Sequence, residues 1–213
     1  MAFTKHFENK KHIIWDWNGT ILNDLEHTVA TLNHTLKDQN IAALSLDDYK
    51  RQFGFPVKDF YDELGVDYTQ RSFSELCDDF VSFWMKGASS CKPFPFIFEQ
   101  LKLNQSDQKT QSILSATDQE NLDILIDQFE LRHFFTNVYG IADKFAASKI
   151  DRGRELIAAS GFSKEDSVLV GDTLHDLEVG EELGIDVVLV SHGHQCVTRL
   201  KAKHPHVLSL DLL

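Results

Sequence analysis

The chain has 213 residues, of which 42% are hydrophobic and 25% charged, and its formal net charge is −12. This length allows one substantial core with or without a modest insertion. The acidic balance argues against a nucleic-acid partner, because phosphate contacts need clustered lysine and arginine side chains. No apolar stretch approaches the roughly 20 residues that span a bilayer, so we expect no membrane partner either.

The N-terminal residues and the cysteines both favour a cytoplasmic protein. Residues 1–8 lack the apolar segment of a secretion signal. Cys77, Cys91 and Cys196 are odd in number, widely spaced and without a Cys-x-x-Cys pair. This pattern is typical of reduced thiols rather than of a disulfide framework or a zinc site. None of these features indicates an oligomeric state.

The first predicted element is a short buried strand that ends on Asp16 and breaks at once into a glycine turn. The following residues, 24–92, contain four predicted helices and no convincing strand. Apolar positions recur there at helical spacing. Ser45 is a candidate N-cap, and Pro56 is placed to open a helix.

Beyond a boundary at Lys92-Pro93-Phe94-Pro95, predicted strands and helices alternate. The strands are 112–115, 137–141, 168–171 and 187–190, and the helices are 97–103, 118–129, 148–160 and 174–183. Such alternation predicts parallel pairing and a doubly wound α/β sheet. We predict a core of residues 1–23 and 93–213, with residues 24–92 forming a helical cap over the strand ends.

Two strands that lie far apart in the chain each end on a carboxylate. Asp16 follows the first strand, and Asp172 follows the strand 168–171, with Asp176 one helical turn later. Ligands of open α/β sheets bind beyond the carboxyl ends of the strands. We therefore expect one metal or phosphate site assembled from these distant segments.

Four segments in this order resemble the motifs of the haloacid dehalogenase-like superfamily of hydrolases. They are Asp16-Trp17-Asn18-Gly19-Thr20, Ser115 at a strand end, Lys149, and Gly171-Asp172-Thr173-Leu174-His175-Asp176. The likeness runs nearly the full length of the chain. The helical insertion resembles the cap of the phosphoglycolate-phosphatase-like members, so the resemblance implies a Rossmann-like core and a Mg²⁺-dependent phosphatase.

The resemblance implies a metal site and a nucleophile. Asp16 would attack phosphorus to give an aspartyl-phosphate, which divides one hard displacement into two easier ones. Mg²⁺ would be bound by Asp16, the backbone carbonyl of Asn18 and Asp172. Asp176 would either bind the metal directly or support its ligands.

The resemblance also implies a phosphate-binding set. Thr20 and Ser115 would donate hydrogen bonds to the phosphoryl oxygens, and Gly19 would let the backbone come close. Lys149 would offset the charge of two carboxylates and a phosphate dianion. Two alternatives stay open: Ser115 could cap the following helix, and Lys144 is another cation in the loop that holds Lys149.

Asn18 departs from the usual phosphatase pattern, in which a second aspartate occupies this position. That aspartate protonates the leaving alkoxide and then activates water, whereas an amide can do neither. General acid–base help is typically worth a factor of about 10² to 10⁴ in rate. The substrate could have a good leaving group, such as an aryl or acyl phosphate, another group such as His175 could supply the proton, or the aspartyl-phosphate could persist.

Substrate specificity is expected to come from the cap, which would close over the strand ends. The stretch 51–59 resembles the specificity loop of related caps, so Arg51 and Lys58 are candidates for holding a substrate carboxylate or a second phosphate. Solvated helix-surface charge is the equally plausible interpretation of both residues. The aromatic residues of the cap are expected to pack rather than to stack on substrate, and the turn 191–194 to shape the rim of the site.

We predict from these residues an enzyme that hydrolyses a small phosphorylated metabolite, phosphoglycolate-like by default, with Mg²⁺ as its cofactor. One alternative is a hydrolase of the same superfamily that cleaves another bond, carbon–halogen or carbon–phosphorus. A second alternative is a weakly active, metal-dependent binding or regulatory protein, because Asn18 replaces the usual acid.

Overall fold

A computed structural model of the chain describes residues 3–142, 145 and 148–209. The strands are β1 His12–Trp15, β2 Leu22–Asn23, β3 Lys92–Pro93, β4 Thr110–Asp118, β5 Asn137–Ile141, β6 Ser167–Gly171, β7 Asp186–Val190 and β8 Val207–Leu208. The α-helices are α1 Thr4–Phe7, α2 Leu25–Thr35, α3 Leu46–Gln52, α4 Val57–Glu63, α5 Phe73–Gly87, α6 Pro95–Ser106, α7 Gln119–Gln128, α8 Ile150–Ser160, α9 Leu174–Leu183 and α10 Val197–Lys203.

Six strands form one parallel sheet in the order β5-β4-β1-β6-β7-β8. This confirms the predicted α/β class with a parallel sheet and a helical insertion after the first strand. The central strand β1 has β4 on one side and β6 on the other, with Trp15 level with Ile113 and Val170. The strand order changes direction at β1, because β4 and β5 lie on one side of it and β6 to β8 on the other. Ligands of such sheets bind in the crevice at the carboxyl end of the strand where the order changes.

Both faces of the sheet are covered. Successive side chains of a strand point to opposite faces, so Ile13 and Trp15 belong to one hydrophobic cluster and Ile14 to another. All three side chains have no exposed surface. This continuous apolar run, typical of parallel strands, fixes the height at which the next residue, Asp16, leaves the sheet.

Four helices, α2 to α5, make up the insertion and pack around their own apolar cluster, which includes Leu32, Tyr49, Phe60 and Leu76. The antiparallel pair of β2 and β3, which the sequence did not predict, joins the two ends of this insertion. That pairing lies where we predict the cap to begin and end, although the division of the chain into two domains stays a prediction.

The helix boundaries follow the local signals in the sequence. Ser45 caps α3 and accepts a hydrogen bond from the Asp48 amide at 3.1 Å. Ser72 and Glu75 form a reciprocal capping box at the start of α5. Within the part of the chain that the structure describes, no helix is long and apolar enough to cross a bilayer.

The cap of α5 predicts a measurable effect on stability. Ser72→Ala removes the side chain that accepts from the Glu75 amide, so the free energy of unfolding should fall by about 1 kcal/mol. Ser82→Ala is the matched control, because Ser82 is exposed in the middle of the same helix and alanine favours helix there. Urea denaturation measures both, and equal values for the two variants would contradict the capping role.

Candidate active site

Three buried carboxylates meet at the carboxyl end of β1 and β6. Asp16 directly follows β1, and its amide donates to the Val170 carbonyl at 2.8 Å. Asp172 directly follows β6, and Asp176 lies in the first turn of α9. One carboxylate oxygen from each of the three lies within 4.8 Å of the others. The sequence prediction that distant segments converge on one acidic site is therefore met by the geometry.

The Lys149 ammonium lies among these acids and is 1% exposed. Its Nζ contacts Asp16 Oδ1 at 2.5 Å, Asp176 Oδ1 at 2.6 Å and the Leu114 carbonyl oxygen at 3.0 Å. An ammonium has three protons to donate, and three acceptors surround it. The side chain thus ties β1, β4 and α9 together beneath the site.

Burial and charge shift the acidity of the cluster. Burial, reinforced by Asp176 and Asp172 and opposed by Lys149, raises the pKa of Asp16 to about 8. Burial likewise raises the pKa of Asp172 to about 6, against the effect of His194. The pKa of Asp176 is lowered, because Lys149 and the Thr173 hydroxyl outweigh the effect of burial. The Lys149 pKa is raised, because Asp16 and Asp176 outweigh burial.

This donor set fits a hard divalent cation. Carboxylate oxygens are the ligands that such cations prefer in proteins. With all groups ionised, three acids and one lysine leave two uncompensated negative charges. Burial, and to a smaller extent the neighbouring Asp176, raises the pKa values of Asp16 and Asp172. The described residues can therefore hold a metal ion, and the Asn18 carbonyl as a further ligand stays a prediction.

Thr20 and Gly19 both contribute to the position of Asp172. The Thr20 hydroxyl donates to Asp172 Oδ1 at 2.8 Å, so its proton is directed at a carboxylate rather than toward the expected phosphoryl group. Gly19 has a φ of 71°, and a Cβ there would lie 2.4 Å from Asp172 Oδ2. Glycine is thus required both by the left-handed backbone and by the close approach of Asp172.

Ser115 lies at the edge of the same site. It belongs to β4, is 1% exposed and lines the cavity above the acids. Its Oγ accepts a hydrogen bond from the Thr117 amide at 3.1 Å. The alternative in which Ser115 caps the following helix is wrong, because Asp118 occupies that position and accepts from the Asn121 amide. Its role in phosphate binding stays a prediction.

Asn18 is held at both ends of its amide. Its Nδ2 donates to Asp24 Oδ2 at 2.8 Å, and its Oδ1 accepts from the Thr117 hydroxyl at 2.7 Å. An ionised carboxylate can only accept, so Asp24 fixes which end of the amide is nitrogen. The asparagine therefore fills a position where an aspartate would meet a second carboxylate.

Asp24 and His194 form an ion pair in the site that the sequence analysis missed. The His194 Nε2 lies 3.2 Å from Asp24 Oδ1, its Nδ1 lies 3.1 Å from the Tyr49 hydroxyl, and its amide donates to Asp172 Oδ2 at 2.6 Å. Although burial lowers the pKa of His194, the Asp24 charge and Asp172 raise it to about 9. The Asp24 pKa is lowered in turn, because His194 and hydrogen bonds outweigh burial. The sequence did offer one signal for His194. The turn 191–194 directly follows β7, and turns at the carboxyl ends of parallel strands are where ligands bind.

A cavity of about 200 Å³ lies over the acids and beneath the helical insertion. Its core side is formed by polar residues, which include Asp16, Asn18, Ser115, Lys149 and Asp176. Its opposite side carries cap aromatics that we expected only to pack; they are Phe53, Phe55, Phe60, Tyr61, Phe80 and Trp84. The carbonyl of Phe53 accepts from Gln195 and Arg199 of the core, which holds this loop over the strand ends.

Two predicted specificity residues lie away from this cavity. Arg51 pairs with Asp48 and Lys58 with Asp62 on exposed helix surfaces, as the surface-charge interpretation expects. His175, in contrast, lines the cavity, stacks on Phe55 with ring centroids 4.7 Å apart and has its pKa lowered by burial and by Lys149. Lys144, the alternative to Lys149, lies outside the described residues.

Comparison with known proteins gives consistent results. The profile of the "Haloacid dehalogenase-like hydrolase" family matches residues 13–190. A phosphoglycolate phosphatase of Caulobacter vibrioides is 28% identical over 203 residues, which cover 90% of this chain and 83% of that protein. The pyrophosphatase PpaX of Oceanobacillus iheyensis is 22% identical over 208 residues, which cover 94% of this chain and 92% of that protein.

The fold has a close match among solved structures. The haloacid dehalogenase-like family hydrolase SP0104 of Streptococcus pneumoniae superimposes with a TM-score of 0.80, covers 95% of each chain and is 20% identical. At this identity the similarity concerns the fold. It agrees with the sheet order and with the position of the helical insertion.

The contact between Asn18 and Asp24 predicts that an aspartate at position 18 is unfavourable in this chain. Asn18→Asp would place two carboxylates 2.8 Å apart, so the free energy of unfolding should fall by about 1–3 kcal/mol. The pair keeps a proton in the folded state that the unfolded chain loses above about pH 4. The loss of stability should therefore grow as the pH rises from about 4 to 8, as measured by urea denaturation.

A double variant serves as the matched control for this effect. Asn18→Asp with Asp24→Asn exchanges the two groups and restores an amide–carboxylate contact. It should recover part of the lost stability and weaken the pH dependence of the loss. Equal losses in the single and double variants, at every pH, would show that the contact between positions 18 and 24 does not cause the effect.

Proposed function

Because the chain belongs to the haloacid dehalogenase-like hydrolase family, we propose that it is a Mg²⁺-dependent phosphatase. Its substrate would be a small phosphorylated metabolite, hydrolysed through an aspartyl-phosphate on Asp16. The observation that carries this proposal is the contact of Asp16 with Lys149 beside Asp172 and Asp176. Three relatives, each matched over most of its length, are named as phosphatases or as a pyrophosphatase. Their names support the same reaction class.

Asp16 is the nucleophile in this mechanism. Lys149 holds its Oδ1, and the second oxygen attacks phosphorus as the bond from phosphorus to the leaving oxygen breaks. Water then attacks phosphorus and the electron pair of the bond from phosphorus to Asp16 goes to Asp16. The carboxylate is restored, and both protons of the water leave with dihydrogen phosphate. Asp16, Asp172 and Asp176 would hold Mg²⁺, which supplies positive charge against the phosphoryl oxygens.

Lys149 opposes the effect of burial on the pKa of Asp16 and holds the carboxyl group in position for this attack. An isolated carboxylate at this depth would hold a proton, since burial raises its pKa. The ammonium contributes a fixed positive charge, as its own pKa is raised by its acidic neighbours. Positioning and charge compensation are the main requirements of phosphoryl transfer, and this residue contributes to both.

The amide of Asn18 sets a limit on the reaction. Because an amide N–H does not ionise near neutral pH, Asn18 cannot transfer a proton to a leaving alkoxide. A substrate that needs protonation would react slower by a factor of about 10² to 10⁴. This observation favours a second candidate function, in which the chain is a slow, metal-dependent binding or regulatory protein.

A cytoplasmic location remains part of the proposal. It is supported by Cys77, Cys91 and Cys196, none of which forms a disulfide bond. Phosphoglycolate is the default substrate suggested by the relatives. The proposal includes no nucleic-acid or membrane partner.

Asp16→Asn tests the nucleophile. The variant keeps the shape of the side chain but cannot form the phosphoenzyme, so kcat should fall by a factor of about 10⁴ or more. Asp186→Asn is the matched control, since Asp186 is an exposed carboxylate at the opposite end of the sheet. The assay is phosphate release from a panel of alkyl, aryl and acyl phosphates in the presence of Mg²⁺. Wild-type turnover that persists in Asp16→Asn would refute the proposal, and no wild-type turnover with any ester would favour the binding function.

Cation binding should depend on pH. Asp16 and Asp172, with pKa values of about 8 and about 6 in the metal-free protein, must lose protons when they bind Mg²⁺. The apparent affinity should therefore rise between pH 6 and pH 8 and level off above. Calorimetric titration in two buffers of different ionisation enthalpy measures the proton release. Asp172→Asn should bind at least about tenfold more weakly, and a pH-independent affinity would contradict a site made of these acids.

A further inference from the structure

The wall of the cavity that faces the acids is apolar. It is contributed by α2, α4, α5 and the loop before α4, and it includes Leu32, Phe55, Phe80, Val81 and Met85. Phe80, Val81 and Met85 are only partly buried and line the cavity, although Phe80 also packs against the cap cluster. Any group attached to a phosphate bound at Asp16 would therefore meet hydrocarbon.

The same wall offers no positive charge to a second anionic group. Among the described residues that line the cavity there is no arginine, and Lys149 is the single lysine. Lys149 is paired with Asp16 and Asp176, and His194 is paired with Asp24. A carboxylate on the substrate would lose its hydration without gaining a cationic partner among the described lining residues, which is unfavourable. This environment disfavours phosphoglycolate, whose second charged group is a carboxylate.

The volume and the lining of the cavity suit one aromatic ring. In another protein, an apolar cavity of about 150 Å³ holds a benzene molecule. The cavity here has about 200 Å³, and aromatic rings pack favourably edge-to-face or offset against other rings. Its wall carries Phe55, stacked on His175, and Phe53 beside Phe60 with ring centroids 5.4 Å apart.

Asn18 gives an independent argument for the same chemistry. A phenol has a pKa of about 10, so phenolate leaves without a proton. An alcohol is about as weak an acid as water, whose pKa is about 16. Its alkoxide therefore leaves poorly unless it is protonated. The amide of Asn18 is not an acid near neutral pH and cannot supply that proton, and an aryl leaving group does not need it.

We propose that the substrates are phosphate monoesters of neutral, apolar phenols, with the ring held between the cap aromatics and the phosphate at Asp16. This inference rests on the proposed phosphatase function and specifies its substrate class. When Asp16 attacks, the electron pair of the bond between phosphorus and the phenolic oxygen goes to that oxygen. The phenolate leaves unprotonated, and water later hydrolyses the aspartyl-phosphate.

A panel of four esters separates ring binding from leaving-group chemistry. The esters are phenyl phosphate, benzyl phosphate, ethyl phosphate and phosphoglycolate. Benzyl and ethyl phosphate both release an alkoxide, so a KM at least tenfold lower for benzyl phosphate would report binding of the ring. A kcat at least tenfold higher for phenyl than for benzyl phosphate would report the unassisted leaving group. A kcat/KM for phosphoglycolate equal to or above that for phenyl phosphate would overturn the inference.

A charge placed in the wall tests the location of the ring. Val81→Arg introduces a cation into the cavity, so the ratio of kcat/KM for phosphoglycolate to that for phenyl phosphate should increase at least tenfold. Ser82→Arg is the matched control, because Ser82 is the next residue of α5 and is exposed. It should leave this ratio within a factor of two. An unchanged ratio in a folded Val81→Arg protein would place the ring elsewhere and refute the proposal.

A binding measurement separates this inference from the proposed function. Phenylphosphonate and phosphonoacetate cannot be hydrolysed, and they differ in carrying a ring or a carboxylate. With Mg²⁺ present, calorimetry on the wild type should show at least tenfold tighter binding of phenylphosphonate. If that preference holds while no ester is hydrolysed, the phosphatase proposal fails and the apolar site stands. If esters are hydrolysed but phosphonoacetate binds as tightly, the phosphatase stands and the substrate class is wrong.

Discussion

The site depends on three carboxylates buried around one ammonium. Asp16, Asp172 and Asp176 come from two strand ends and a helix start, and Lys149 contacts two of them while also binding a carbonyl of β4. Like charges at this depth repel strongly, so the arrangement persists only if protons, Lys149 or a cation compensate them. The pKa of Asp16 is raised mainly by burial, with a smaller contribution from Asp176 and Asp172 that Lys149 opposes. Metal binding, nucleophile activation and local stability are therefore governed by the same electrostatic balance.

The amide at position 18 follows from a second charged pair next to the first. Asp24 is buried, pairs with His194 and accepts four hydrogen bonds or ion-pair contacts, from Asn18, Gly19, Thr28 and His194. An aspartate at position 18 would add a fifth carboxylate, next to Asp24 and the three acids of the cluster. Asparagine keeps the contact with Asp24 and removes the charge. The lost acid–base function is thus coupled to how the cap helix α2 is joined to the core.

The fold could be predicted from the sequence wherever a local signal was strong. The strand Asn137–Ile141 and the helix Leu174–Leu183 were predicted to the residue, because apolar runs and helical spacing are bounded there by turns. The helix Val197–Lys203 was missed because it is short and more than half polar, and the strand Val207–Leu208 because it has only two residues. The converging acids were predictable because strand ends of parallel sheets share one edge.

The parts of the site that could not be predicted are those made by tertiary contacts between cap and core. The approach of Asp24 to His194 joins residues 170 apart in the chain, and no local pattern records it. The cap aromatics gave a pattern that fits packing and ligand contact equally well. Only their position opposite the acids, with no cation among the described wall residues, distinguishes the two roles. An apolar wall favours burying hydrocarbon, and a bound amide favours a leaving group that needs no proton. Both constraints act on the same end of the substrate, so cap and core select one class of ester by independent physical effects.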